Sequence, residues 1–163
     1  MVREFYDLKT RDIHKNLIKM SDYKDYVVLI VTMASNIDRF NDLTMLEKLY
    51  SNLKDQKLEV LLFPTDQLDE KETLRSTELD HALHQALSID LPLMEKVDVK
   101  GDTKHPIFSY LTEGKFKMFK NDVKRNFTMF VVSRTGEIVK RLNHDVNYES
   151  LYNIIEPYLE ESV

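Results

Sequence analysis

Apolar residues follow two different rhythms along this chain. Val27-Val28-Leu29-Ile30-Val31 is short, rich in β-branched residues and free of alternation. A central strand reads this way when helices cover both faces of its sheet. After a polar loop, Ser35 to Asn41, the rhythm changes to Leu43, Leu46, Leu49, Tyr50 and Leu53, the stripe of an amphipathic helix. A second compact apolar run follows from Leu58 to Phe63. Strand, helix and strand in quick succession make a βαβ unit, whose strands run parallel.

Pro64 is predicted to end the second strand, and Thr65 to Thr73 to form a polar loop. Ser76 to Leu87 reads as a helix with Leu79, Leu83 and Leu87 on one stripe, and His105 to Leu111 as a short helix opened by His105. Phe127 to Ser133 and Glu137 to Leu142 are predicted strands of a hairpin turning through Arg134-Thr135-Gly136. Asn147 is placed to cap a last helix that carries Leu151, Ile154, Ile155 and Tyr158. The result is an α/β chain with a central mixed β-sheet, half parallel and half antiparallel, flanked by helices. That is a thioredoxin-like arrangement. No linker or repeat divides residues 1–163, so a single domain is expected.

Charge and composition remove whole classes of function. A net charge of −5 argues against a binder of nucleic-acid backbone, and no nucleic acid is expected. The one basic cluster, Lys115, Lys117, Lys120, Lys124 and Arg125 with Phe116 and Phe119 interleaved, better suits a small anionic ligand or a protein partner. The chain has no cysteine, which excludes disulfides, thiolate metal sites and every cysteine nucleophile. No apolar run approaches the ~20 residues needed to span a bilayer. Charges at Arg3, Glu4, Asp7 and Lys9 leave no apolar leader. A soluble, cytoplasmic protein with no membrane contact is expected.

Ligands of an α/β sheet gather at the carboxyl ends of its strands. One such loop, Ala34-Ser35-Asn36-Ile37-Asp38-Arg39, leads into a helix N-terminus, where an anion is favoured. It contains no glycine to cradle a phosphate, and Ser35 has no neighbouring histidine to activate it. The other loop, Phe63-Pro64-Thr65-Asp66-Gln67, offers in Gln67 a neutral donor and acceptor suited to orienting a ligand. Glu78, His81 and His84 can share one helical face, a weak candidate for a divalent metal against the simpler reading of a solvated face. Asp69-Glu70-Lys71-Glu72 reads as a solvated loop. No metal and no cofactor are expected.

Several of these segments, taken in one register, resemble the glutathione peroxidases. Phe5-Tyr6-Asp7-Leu8 with Asp12-Ile13 is similar to the family's N-terminal β-hairpin. Tyr23 to Ser35 resembles the approach to its first signature, and Phe63-Pro64-Thr65-Asp66-Gln67 the second, Phe-Pro-Cys-Asn-Gln. Asp98-Val99-Lys100-Gly101, His105-Pro106-Ile107-Phe108 and Arg125-Asn126-Phe127-Thr128-Met129-Phe130 resemble later blocks, and Arg134 to Arg141 continues the last of them. The short stretch Glu113 to Lys124 is similar to members without the tetramer-forming loop, which implies a monomer or weak dimer.

The resemblance implies an active site of cysteine or selenocysteine held by a glutamine, a tryptophan and an asparagine. Here Ile37 stands at the peroxidatic position, Gln67 and Asn126 are kept, and the tryptophan position is Arg125. Thr65 replaces the cysteine of the second signature, and the resolving cysteine of thioredoxin-dependent members would fall near Leu83. An isoleucine has no lone pair to attack a peroxide oxygen and cannot cycle through a sulfenic acid. Loss of a cysteine by one substitution would have left Arg125 and Asp66 in family form, and they are not. Met33, Met45, Met94 and Met129 can be oxidised once each, but core filling is their expected role. A non-catalytic binding or regulatory protein is expected, against a peroxidase of the response to oxidative stress or an enzyme using Asp38, Asp66, Gln67 and Arg125 in the same cleft. Arg125 is expected either to face solvent or to pair with Asp38 or Asp66.

Overall fold

Every residue of β3 (Val27–Ala34) is buried, as an unbroken apolar run requires when both faces of a sheet are covered. The computed structural model describes residues 4–68, 73–88, 90–113, 121–143 and 145–161. Before β3 come β1 (Lys9–Arg11) and β2 (Leu17–Lys19), an antiparallel hairpin. After it come α1 (Phe40–Leu53), β4 (Leu58–Thr65), α2 (Ser76–Ala86), α3 (Pro106–Glu113), β5 (Thr128–Val132), β6 (Ile138–Leu142) and α4 (Tyr148–Leu159). The main sheet has the order β4-β3-β5-β6. β3 pairs parallel with β4 and antiparallel with β5.

Alternate residues of β3 feed two cores. Val27, Leu29, Val31 and Met33 meet Leu43, Leu46 and Leu49 of α1, Leu79 and Leu83 of α2, and Leu151 and Ile155 of α4. Val28 and Ile30 face the other way, toward Ile107 and Phe108 of α3 and toward Phe5, Leu8 and Met20 around the hairpin. Each fully buried side chain of this kind contributes about 1.5–3 kcal/mol, so the two layers hold the sheet from both sides. Asn147 caps α4 as expected, its Oδ1 accepting from the Ser150 amide at 2.8 Å.

The structure corrects the end of the second predicted strand. Pro64 does not stop it; β4 continues to Thr65, with Pro64 opposite Met33. The carbonyls of Lys57 and Thr65 bond toward β3, whereas Leu62 and Pro64 bond outward, to Pro92, Met94 and Val97. Pro64 therefore faces the outer edge of an edge strand, where its missing N–H breaks no ladder bond. β5 begins one residue later than predicted, because Phe127 has a φ of 62°.

The basic cluster at Lys115, Phe116, Lys117, Phe119 and Lys120 lies outside the described residues, as does the run Asp69 to Glu72. Lys124 and Arg125 are described and exposed. Among the described residues no helix is long and apolar enough to cross a membrane.

Candidate functional site

β3 and β4 are parallel and finish level, with Ala34 opposite Thr65. The loops that follow therefore leave the sheet side by side, and the Ser35 amide extends the pairing to the Thr65 carbonyl at 3.1 Å. The first loop turns at once. The Asn36 amide bonds the Ala34 carbonyl at 2.7 Å, and Asn36 Oδ1 accepts from the Asp38 amide at 3.1 Å, a local side-chain turn. Ile37 sits in this turn, half-buried against the core shared with α1. Ser35 Oγ is buried and has no hydrogen-bond partner, so no base activates it.

The N-terminus of α1 carries its own counter-charge. Asp42, in the first turn, bonds Arg39 Nε at 2.6 Å. A carboxylate there answers the helix dipole, which in a peroxidase would favour a thiolate.

Gln67 makes three side-chain bonds to backbone. Its Oε1 accepts from the amides of Val99 at 2.7 Å and Lys100 at 3.2 Å, and its Nε2 donates to the Lys100 carbonyl at 3.2 Å. Thr65 is wholly buried, and its Oγ1 accepts from the Gln67 amide at 3.3 Å. Asn126 arrives from the turn that precedes β5. Its Oδ1 accepts from the Ala34 amide at 3.0 Å, and the following Phe127 amide bonds the Thr32 carbonyl at 2.9 Å. Asn126 thus ties to Ala34 at the end of β3, while the Gln67 side chain is bound to the segment before α3.

Arg125 is exposed, and Asp66 is taken by a residue that the sequence did not suggest, Lys96, whose Nζ lies 3.0 Å from Asp66 Oδ1. Lys96 also donates to the Leu74 carbonyl, while the Leu74 amide bonds the Ser35 carbonyl at 2.7 Å. Asp66 is thus linked through Lys96 and Leu74 to the Ser35 carbonyl.

The metal candidates do not converge. Glu78 accepts from Arg75 Nε at 3.0 Å and from the Arg75 amide at 3.2 Å, bonds that hold its carboxyl below the usual range. His81 is exposed, and His84 turns to Asp80 and Asp90. Among the described residues no group of three His, Cys, Asp or Glu is arranged to hold a metal. Burial pushes His105 below the usual histidine range. Its Nδ1 accepts from the Ile107 amide at 3.1 Å, so it opens α3 as a neutral ring.

Known proteins agree with this geometry. Residues 5–112 match the family described as glutathione peroxidase. The chain is 32% identical over 159 residues to the probable glutathione peroxidase 8 of Arabidopsis thaliana, covering 91% of this chain and 94% of that one. It is 33% identical over 158 residues to the glutathione peroxidase homolog BsaA of Staphylococcus epidermidis, covering 97% and 100%. The crystal structure of Trgpx in apo form superposes with a TM-score of 0.80 at 25% identity, over 99% of this chain and 98% of that one. A thioredoxin-family thiol:disulfide interchange protein of Chlorobium tepidum TLS, 8% identical with a TM-score of 0.69 over 93% and 92%, shares the fold. Strand order, the convergence at Ala34 and the extent of these matches lead to one assignment: the chain belongs to the glutathione peroxidase family and has the thioredoxin-like fold.

Proposed function

We propose that this protein is a family member without the thiol peroxidase cycle, acting as a non-catalytic binding or regulatory module. The observation that carries the reading is a chain with no cysteine, in which Ile37 falls at the position that the resemblance matches to the peroxidatic residue. The peroxidase reaction needs a nucleophile whose lone pair displaces hydroxide or alkoxide from the peroxide and which is then reduced by thiol. An aliphatic side chain offers neither step. The amide of Gln67 supports the same reading, because its oxygen and one N–H are held by backbone of Val99 and Lys100, leaving one N–H for a ligand. It also weighs against a different chemistry at Asp66 and Gln67, since Asp66 already faces Lys96. The protein so read is a cytoplasmic monomer or weak dimer that takes a small anionic ligand or a protein partner.

The test is a reductant-coupled assay with hydrogen peroxide and an organic hydroperoxide, using glutathione and then thioredoxin. The expected result is no turnover above the protein-free control. Sustained catalysis beyond one equivalent per methionine overturns the reading.

A further inference from the structure

Two histidines and two aspartates meet where the β1–β2 turn approaches α2, outside the site described above. His84 Nδ1 lies 2.8 Å from the Asp80 carbonyl oxygen and 3.1 Å from Asp80 Oδ1. On the far side of the ring, Nε2 lies 3.3 Å from Asp90 Oδ1. A carbonyl only accepts hydrogen bonds, so Nδ1 donates to it, and with the Asp90 carboxylate facing Nε2 the surroundings favour the imidazolium. Asp80 Oδ2 continues the chain of contacts to His14 Nε2 at 3.6 Å. Three segments are linked in this way: the hairpin turn, α2, and the stretch that leads into Leu91.

Asp80, His84 and Asp90 also divide two spaces. They line a small cavity of about 20 Å³ beside Leu62, Leu83 and Leu87, and a neighbouring groove of about 240 Å³ walled by Ile13, Ile18 and Met94. We propose that protonated His84 clasps Asp90 to Asp80 of α2, and that loss of the proton opens the partition between cavity and groove.

The other charged groups nearby are already engaged. Asp12, which lines the groove, accepts from the amides of His14 and Asn16 and from Asn16 Nδ2. Lys15 faces Glu95 at 3.4 Å. His81 is exposed on α2, and the Tyr23 phenol, also at the groove, is pushed up to about 12 by burial. The bond to the Asp80 carbonyl, followed by the charges of Asp80 and Asp90, raises the His84 pKa above its ordinary value against a slight desolvation. A raised folded pKa means that the clasp is complete below the ordinary histidine value of about 6.5 and is lost as pH rises through the folded one. His84 and Asp90 are 53% and 82% exposed, so screening limits the effect to a change of about two- to five-fold in local opening.

The experiment is an NMR titration of the histidine rings together with amide hydrogen exchange from pH 5.5 to 8.5, corrected for intrinsic rates. The reporters are Ile13, whose amide bonds the Leu93 carbonyl, and Leu87, whose amide bonds the Leu83 carbonyl. Ile30 in the central strand is the internal reference. The expected result is that His84 titrates above the ordinary value and that protection at Ile13 and Leu87 falls with that titration, while Ile30 does not follow it. Asp90→Asn is expected to lower the His84 pKa and flatten the dependence. A His84 that titrates at or below the ordinary value overturns the proposal, as does protection independent of pH.

Discussion

Gln67 and Lys100 exchange two hydrogen bonds, Lys100 N–H to Gln67 Oε1 and Gln67 Nε2 to the Lys100 carbonyl, each at 3.2 Å. With the third bond from the Val99 amide at 2.7 Å, the side chain behaves like one more stretch of backbone. It stitches the loop after β4 to the segment before α3. A residue that resembles a catalytic glutamine is therefore a structural tie in this chain.

Removing that tie should lower stability. Each such bond is worth about 0.5–1.5 kcal/mol net, and the site is only half-buried, so Gln67→Ala is expected to cost about 1–3 kcal/mol. Gln67→Glu should cost less. It can still accept from Val99, but it sets a carboxylate oxygen against the Lys100 carbonyl. Urea denaturation reads both through the midpoint at unchanged slope. A midpoint equal to wild type for Gln67→Ala would mean that the tie contributes nothing.

Restoring the nucleophile should not restore the enzyme. Ile37→Cys places a thiol where the resemblance puts the peroxidatic residue, but Gln67 stays bound to Val99 and Lys100, and Arg125, matched by resemblance to an aromatic, faces solvent. No second cysteine exists to resolve a sulfenic acid. Enzymes typically turn over at about 1–1000 per second; the variant is expected to fall well below that range with either reductant. A variant within the range would show that the remaining residues reorganise around a thiol without help.

The parts of the fold that were legible are those fixed by local pattern. β3 is an eight-residue buried strand because its apolar run is unbroken, and α1 buries Leu43, Leu46, Leu49 and Leu53 because they share one stripe. The continuation of β4 through Pro64 was not legible, since it depends on which edge the proline faces, a matter of register. The bond from the Ala34 amide to Asn126, which joins the end of β3 to the turn before β5, was not legible, since it depends on how distant segments pack. Nor were the partners of Asp66 and Asp80. Lys96 reaches Asp66, and His14 reaches Asp80, only after loops and a hairpin pack together, and no short-range spacing encodes either contact.

One turn of the fold depends on a missing side chain. Gly136 closes the β5–β6 hairpin at a φ of 87°, and a Cβ added there would lie 2.9 Å from Tyr6 Cε2. Tyr6 is not free to move aside, because its hydroxyl donates to the Arg134 carbonyl at 3.0 Å. A left-handed conformation costs a residue with a side chain about 1–2 kcal/mol, and the ring contact adds to it. Gly136→Ala is therefore expected to destabilise by about 2 kcal/mol or more, read as a lower thermal midpoint. Combining it with Tyr6→Ala should recover part of the added cost relative to Tyr6→Ala alone. A fully additive pair would remove the ring from the explanation.

The ammonium of Lys104 offers a test in alkali. Its Nζ lies 2.6 Å from Asp122 Oδ1, 3.0 Å from Glu113 Oε2 and 3.1 Å from Thr112 Oγ1, with the side chain 10% exposed. It ties the end of α3 to the segment entering β5, where a cation also answers the carboxyl end of the helix. Burial works against the charge, but the hydrogen bonds to Asp122 and Glu113 outweigh it and raise the pKa. The stability from a raised lysine pKa is fully present below the unfolded value of about 10.4 and is lost as pH rises through the folded one. Lys104→Met keeps the aliphatic stem and removes the charge. Hydrogen bonds to charged groups are worth about 1.5–3 kcal/mol, and the exposure of Glu113 and Asp122, 59% and 40%, favours the lower end. The unfolding free energy of the variant, read from the urea midpoint and slope, is expected to lie below wild type by that amount from neutral pH to about pH 10, with the gap closing at higher pH. Tyr23 and Tyr50, both pushed up to about 12, titrate in either protein and cancel in the difference. A gap that is absent at neutral pH, or that persists unchanged in strong alkali, would mean that the charge of Lys104 is not what holds this corner.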